Sequence, residues 1–321
     1  FFDSENFKLP IIKKNTKWNG MIRDSYFGGH VDVYAPYMKN GYYYDVNSLY
    51  PFALESPMPT GKGVYSNDPT LDNWFGFIKV KVFCPSTLNK PVLPFRKEDG
   101  IVIYPTGTWT GTYFSEELKN CLKFGYKFEV IEGLKFEKSY DVFKGFVDHF
   151  YSLKSDTSSS PVEKQCAKLI LNSLYGRFGL NEEDNKISIV NHYEAQKIIV
   201  EHDIYMHSEI GNGLEIIKHS RFVKPSFNKV FQEENNNLTY TLKQNDFQVS
   251  SYSSVGISSA ISSYARIHMS NFLDIKDNTV IYTDTDSLVC QRPLPDEFIG
   301  KKLGQFRECY QFDEFYVINP K

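Results

Sequence analysis

Cysteine is scarce and unpatterned in this chain. Its five cysteines, Cys84, Cys121, Cys166, Cys290 and Cys309, are odd in number, far apart and without a C-x-x-C pair. That argues against a disulfide-built scaffold or a cysteine zinc site and for a reducing compartment. Seven histidines form no H-E-x-x-H pattern, so no metalloprotease-type centre is written here. No apolar run approaches the roughly 18–20 residues a membrane span needs, and no secretory leader opens the chain. No internal repeat stands out. Net charge is only −3, from 36 Lys+Arg and 39 Asp+Glu, so the chain as a whole advertises no polyanion partner.

What is present describes a folded protein. Charged residues make up 23% and aromatics 16% of 321 residues, enough for a sizeable core in one large domain or two to three subdomains. Charge is uneven: "KLPIIKKNTKWNGMIR" (8–23) carries five basic side chains and no acid, a solvated arm or a phosphate contact. The chain opens at Phe1 and closes on "FYVINPK", which reads as a piece of something longer.

Local signals divide the chain. "FGFIKVKVF" (75–83) alternates as a strand does. "GTYFSEELKNCLKFG" reads as a short helix capped by Ser115, with Glu116 and Glu117 in its first turn and Gly125 past its end. Residues 139–153 are helical in pattern. Ser160-Pro161-Val162-Glu163 is a capping box with proline at the first helical position, so a helix should run from 161 to about Phe178, with Gly179 just beyond. Residues 181–250 are Asn- and Lys-rich with weak signals. The serine-rich stretch 250–273 keeps Val255, Ile261, Tyr264, His268 and Phe272 at helical spacing, which favours helix over low complexity. "VIYTDTDSLVC" reads as a hairpin with acids at its tip.

Three places carry chemistry. In "YYYDVNSLYP" (42–51), Asp45 stands at the exit of an aromatic strand. Asp284 and Asp286 are two apart, which on a strand puts both carboxylates on one face. Such a pair repels unless a cation sits between, and oxygen ligands select Mg²⁺ or Mn²⁺. A polar turn is the ordinary meaning of D-T-D, but here buried-type strands flank it. On the helix from 161, Lys164, Lys168, Asn172 and Tyr175 share a stripe, with Val162, Cys166, Leu169, Ile170 and Leu174 opposite. Paired lysines commonly mark a solvated face; an Asn and Tyr extending them suit a surface for phosphates and a stacked base. If the Asp45 strand neighbours the hairpin, three carboxylates converge opposite phosphate-binding lysines, a site for in-line phosphoryl transfer.

The motifs "DVNSLYP" (45–51), "KLILNSLYG" (168–176) and "YTDTDS" (282–287) resemble, in order, the three polymerase motifs of family B DNA polymerases. "YFGG" (26–29) and "SSYAR" (262–266) are similar to the Y-x-G-G and T-x-x-A-R elements of the protein-primed subgroup of linear mitochondrial plasmids, adenoviruses and tailed phages. Lys321 stands where a K-x-Y element should begin. The resemblance implies that Asp45 and Asp286 bind metal, with the Val46 carbonyl assisting and Asp284 shaping the charge. Tyr50 is then the gate against a ribose 2′-hydroxyl, Lys168 holds the triphosphate with help from Lys164 and Lys154, and Asn172 and Tyr175 pack on the nascent base pair. Tyr26, Gly28, Gly29, Ser48, Ser262, Arg266 and Lys321 would contact DNA.

The expected fold is α+β: a right-hand polymerase palm with an antiparallel sheet, short helical fingers and two subgroup insertions. Residues 1–60 are expected to hold an arm and the first palm segment, and 61–153 the palm with a terminal-protein-type insertion. The fingers fall at 154–180, the second insertion at 181–250, and the palm with its catalytic hairpin at 251–321. No D-x-E exonuclease motif precedes Tyr26, and the resemblance leads one to expect a fragment without the exonuclease domain and most of the thumb. The implied activity is templated addition of dNMP with Mg²⁺, on a DNA primer–template or a terminal-protein hydroxyl. The other reading is a nucleic-acid-binding remnant without catalysis. The Asn-, Lys-, Ile-, Phe- and Tyr-rich composition suits an AT-rich genome, as of a mitochondrial plasmid or of a virus or phage.

Overall fold

A computed structural model describes residues 17–180, 186–220, 228–234, 237–243 and 254–319. In chain order the first half contains α1 (Lys17–Asp24), β1 (Val31–Val33), β2 (Tyr37–Val46), α2 (Leu49–Leu54), β3 (Met58–Ser66), β4 (Gly76–Cys84), β5 (Phe95–Arg96), β6 (Val102–Ile103), β7 (Gly107–Phe114), α3 (Ser115–Cys121), β8 (Lys127–Ser139) and α4 (Lys144–Ser155). There follow α5 (Pro161–Gly179), β9 (Lys186–Asn191), α6 (His192–Glu201), β10 (Ile204–Gly211), β11 (Leu214–His219), β12 (Asn228–Glu234) and β13 (Asn237–Lys243). The chain closes with α7 (Val255–Ser270), β14 (Val280–Asp284), β15 (Ser287–Cys290) and β16 (Phe306–Tyr316). It divides into two compact units, Phe1–Gly179 with Ser254–Lys321, and Leu180–Ser253. Of the segments expected from sequence, the boundary at 60 falls within β3 and that at 154 within α4.

In the larger unit a five-stranded antiparallel sheet has the order β1-β14-β15-β2-β16. A four-stranded antiparallel sheet, β3-β8-β4-β7, stands beside it. Tyr44, Val46, Leu288 and Phe306 of the first sheet share one core with Phe77, Phe114 and Phe136 of the second. Helix α7 joins them through Ile257, Ile261, Ala265 and Met269, each at most 1% exposed. Its serines explain how a polar-looking segment becomes a buried helix. Small side chains let neighbours approach on several sides, and each hydroxyl finds an acceptor: Ser258 on the Tyr175 carbonyl, Ser259 on the Ser25 carbonyl, Ser263 on Glu117.

The smaller unit holds a sheet in the order β10-β11-β9, with α6 against β9 and β11, and the hairpin β12–β13. Asn191 caps α6 by accepting from the Glu194 N–H. Buried Glu215 accepts from His192 at 2.6 Å and His207 at 2.5 Å. Among the described residues no helix is long and apolar enough to cross a membrane.

Two local expectations need correction. Ser115 does not cap α3: Phe114 holds that position, and the Ser115 hydroxyl accepts from the Gly76 N–H across the sheet. On α5 the capping box forms as read, with Ser160 N–H to Glu163 at 2.7 Å and Glu163 N–H to Ser160 at 3.3 Å. The apolar face does not: Val162 is 71% and Leu169 59% exposed, and the core takes Ala167, Leu171 and Phe178 instead. The helix packs on α2, α4 and α7 along that narrower seam, and Gly179 is its last residue. A mostly apolar helix offers two seams, and neighbours choose between them.

Two histidines pack against aromatic rings, His30 buried and His268 partly so. His30 stacks on Tyr104 at 3.4 Å, and His268 lies among Phe52, Phe272 and Phe306 with the Gly304 carbonyl at 2.9 Å. Burial lowers both pKa values, partly offset by Asp32 for His30 and by the Gly304 carbonyl for His268. Their contribution to stability is therefore full above the ordinary value of 6.5 and lost as pH falls toward the lower folded value. Urea midpoints should drop between pH 7 and 5.5, and His268→Gln should flatten that slope. Leu171→Ala should cost about 2–5 kcal/mol and exposed Leu169→Ala within about 0.5 kcal/mol, read from the same unfolding curves.

Candidate active site

Strand β2 lies between β15 and β16, and its exit carries Asp45 in register with Ser287 on one side and Arg307 on the other. The next residue, Val46, donates its N–H to the Asp286 carbonyl at 2.7 Å. The sheet thus brings Asp45 and Asp286 to adjacent backbone positions although 241 residues separate them (286 − 45). The hairpin is as expected, but its acids are not two residues of one strand face. Asp284 ends β14, Thr285 turns left-handed at φ 58°, and the Asp286 N–H folds back on the Asp284 carbonyl at 2.6 Å. The Asp284 carboxylate meets the hydroxyls of Tyr282 and Thr285. Among the described residues no three His, Cys, Asp or Glu side chains are close enough to hold a metal. The expected convergence of three carboxylates on one metal is therefore not formed among the described residues, and what the sheet joins is the backbone of the Asp45–Val46 and Asp286 pair.

That pair has the chemistry of a hard-cation site. Carboxylates of Asp45 and Asp286 with the Val46 carbonyl could offer oxygen donors of the kind that suits Mg²⁺. Burial raises the Asp45 pKa, and Arg307, Lys168 and Lys154 offset it only in part. A half-buried carboxylate still short of counter-charge fits a bound divalent ion.

The surrounding cations come from three elements. Lys154, at the end of α4, donates to the Ser48 hydroxyl at 2.6 Å. Ser48 precedes α2 in a left-handed conformation at φ 56°. Burial, with Lys168 and Arg307 nearby, lowers the Lys154 pKa. Lys168 of α5 acts on Asp45 as well. Lys164 sits one turn earlier, where its charge bears on Asp156. Arg307 reaches Asp45 at 3.2 Å.

Beside them runs a line of tyrosines. Tyr50 stacks on Tyr175 at 4.2 Å and 8°, and Tyr26 meets Tyr175 edge-on at 6.1 Å. Gly179 is small for that reason, since a Cβ there would lie 2.5 Å from the Tyr26 oxygen. Burial raises the pKa of all three phenols. Asn172 is exposed on α5.

Of the residues expected to touch DNA, Gly28 is exposed, with nothing near its missing side chain. Gly29 has a different use: a Cβ there would fall 2.6 Å from Thr285, between the hairpin acids. Ser262 and Arg266 are corrected. Ser262 is fully buried and donates to the Ser258 and Ser259 carbonyls. Arg266 is 2% exposed; it grips Glu117 at 2.6 and 2.7 Å and donates to the Phe27 and Gly28 carbonyls at 3.0 and 2.6 Å. Their polar atoms are spent on protein acceptors: Ser262 bonds within its own helix, and Arg266 positions the Tyr26–Gly29 turn. Lys321 lies outside the described residues.

Two residues of this site escaped the sequence reading. Glu117 looked like a first-turn helix acid, and only its burial reveals the partner of Arg266. Arg307 had no motif; its single signal is a cation in the strand that happens to pair with β2.

Comparison with known proteins accords with this geometry. Residues 1–279 match the family model of DNA polymerase type B, organellar and viral. A probable DNA polymerase of Agaricus bitorquis is 36% identical over 335 residues, covering 100% of this chain and 42% of the relative. One of Neurospora intermedia is 37% identical over 328 residues, covering 98% of this chain and 31% of the relative. The chain therefore spans less than half the length of these curated relatives. A Phi29 DNA polymerase structure, complexed with primer-template DNA and incoming nucleotide substrates, matches at a TM-score of 0.69 and 22% identity. It covers 98% of this chain and 51% of that one, and at that identity the likeness speaks for the fold: the α+β polymerase architecture with antiparallel sheets. Fold and sequence agree, and the chain belongs to the organellar and viral type B DNA polymerases.

Proposed function

We propose that this chain is the polymerising part of a DNA-directed DNA polymerase that adds dNMP from dNTPs to a 3′-hydroxyl on a primer–template. The observation that carries the reading is the register that sets Asp45 beside Asp286 with Lys154 and Lys168 close by. Membership of the type B family supports it. Asp45, Asp286 and the Val46 carbonyl would hold Mg²⁺, which would supply activation of the attacking hydroxyl and neutralisation of the leaving pyrophosphate.

The chain's own residues then divide the remaining work. Lys168 and Lys154 bind triphosphate oxygens, Lys154 held in place by Ser48. Asp284 adds negative charge at the hairpin without itself binding the ion. Tyr175 and Asn172 form the floor under the nascent base pair, and Tyr50, stacked on Tyr175, leaves no room for a 2′-hydroxyl. Gly28 lets a phosphate approach the backbone. Lys164 stands further out as an electrostatic helper.

We extend the reading to protein-primed replication of a linear plasmid or viral genome, with a terminal protein supplying the first hydroxyl. The Y-x-G-G and S-x-x-A-R elements support it, as does the family's organellar and viral range. Relatives in fungi and in Bacillus phage Nf fit a plasmid working in the mitochondrion, or a phage-type element working in its host.

Primer extension with Mg²⁺ and dNTPs tests this. The chain should extend a templated primer, and Asp286→Ala should lower the rate by about 10²–10³-fold while keeping its urea midpoint, the order seen when one electrostatic stabiliser of the transition state is removed. Extension by neither, with no Mg²⁺-dependent nucleotide binding, would replace this reading with a non-catalytic remnant. Tyr50→Val should raise ribonucleotide incorporation relative to deoxyribonucleotide, measured as the ratio of kcat/KM values.

A further inference from the structure

We propose that Arg307 is the resident counter-ion of Asp45 and that, once a divalent cation takes this carboxylate, the guanidinium turns to the incoming triphosphate as a third cation beside Lys154 and Lys168. The inference rests on the polymerase reading above and deepens it.

Position comes first. Arg307 is the β16 residue in register with Asp45, and β16 is the edge of its sheet. Its Nη2 donates to Asp45 Oδ1 at 3.2 Å, a single-pronged contact, with 63% of the arginine side chain and 31% of the aspartate side chain exposed. The bidentate fork of a committed structural pair is not formed. An exposed side chain on an edge strand has room to swing, and a pair of this kind contributes little to stability. Leaving Asp45 is therefore cheap.

Charge supplies the direction. Arg307, Lys168 and Lys154 all bear on Asp45, and Arg307 and Lys168 bear on Lys154. These three cations stand against Asp45 and the neighbouring hairpin acids, and a divalent ion on Asp45 would tip the balance to positive charge. A polyphosphate chain is the ligand that completes such a cluster. Arginine is well suited, because its planar fork can bind two phosphate oxygens at once. Arg307 is then a competitor of the metal before loading and an ally of the nucleotide afterwards.

These two roles pull a mutant in opposite directions, which separates them from a mere surface pair. Mn²⁺ binding to the chain without nucleotide, followed by electron paramagnetic resonance, should be about 2–5-fold tighter in Arg307→Ala, the ion-pair worth converted at about 1.4 kcal/mol per tenfold. Binding of dTTP in saturating Mn²⁺, followed by calorimetry, should be several-fold weaker in the same variant. Arg307→Lys should keep part of the nucleotide affinity. Unchanged affinity for both ligands, or weaker binding of both, would overturn the proposal while leaving the polymerase reading standing. A wild-type chain that binds neither Mn²⁺ nor dTTP would overturn both together.

Discussion

A guanidinium removed from water has to be answered by acceptors, and the answer given to Arg266 organises this molecule. Glu117 of α3 supplies both carboxylate oxygens, and the Phe27 and Gly28 carbonyls complete the set. The pair itself is not a large source of stability, since desolvating two charges nearly cancels their attraction. Its value is geometric. It ties α3 and α7 to the Tyr26–Gly29 turn, and Gly29 then leaves the space that Thr285 fills. The Thr285 N–H donates to the His30 carbonyl at 2.8 Å, and the Asp286 carbonyl takes the Val46 N–H. A buried charge pair thereby fixes the tip that carries the acids.

The site built on that tip is unbalanced by design of its register. Antiparallel pairing places Asp45 between the strand that leaves the acid turn and a strand bearing Arg307. Lysines arrive from α4 and α5, whose packing on each other and on α2 fixes how far they reach. The tyrosine line Tyr26–Tyr175–Tyr50, one edge-on and one stacked contact, joins the turn, α5 and α2. Acids, cations and rings each come from a different element, so all depend on one core around α7.

Sequence legibility followed the range of the forces involved. The capping box at Ser160 and Glu163 and the D-T-D hairpin were readable because a few adjacent residues decide them. Helix α7 was readable through its apolar spacing despite its serines. The buried face of α5 was not, because Val162 and Leu169 are as apolar as Leu171, and only neighbours far along the chain select between them. Arg266 matched a family element, yet its role as a buried clamp depends on Glu117, a long-range pairing with no local mark. Arg307 was invisible for the same reason: the register of β16 against β2 is a tertiary fact.

Hydrogen exchange at single amides tests most directly whether the Glu117–Arg266 pair orders the acid tip. In Glu117→Gln, Arg266 keeps its charge and loses its counter-charge, so the turn it holds should loosen. The Thr285 amide should exchange faster than in the wild type, while that of Val289, in the middle of β15, keeps its rate. Equal acceleration at both would mean a general loss of stability, and unchanged exchange at Thr285 would mean that the tip is held without the buried pair.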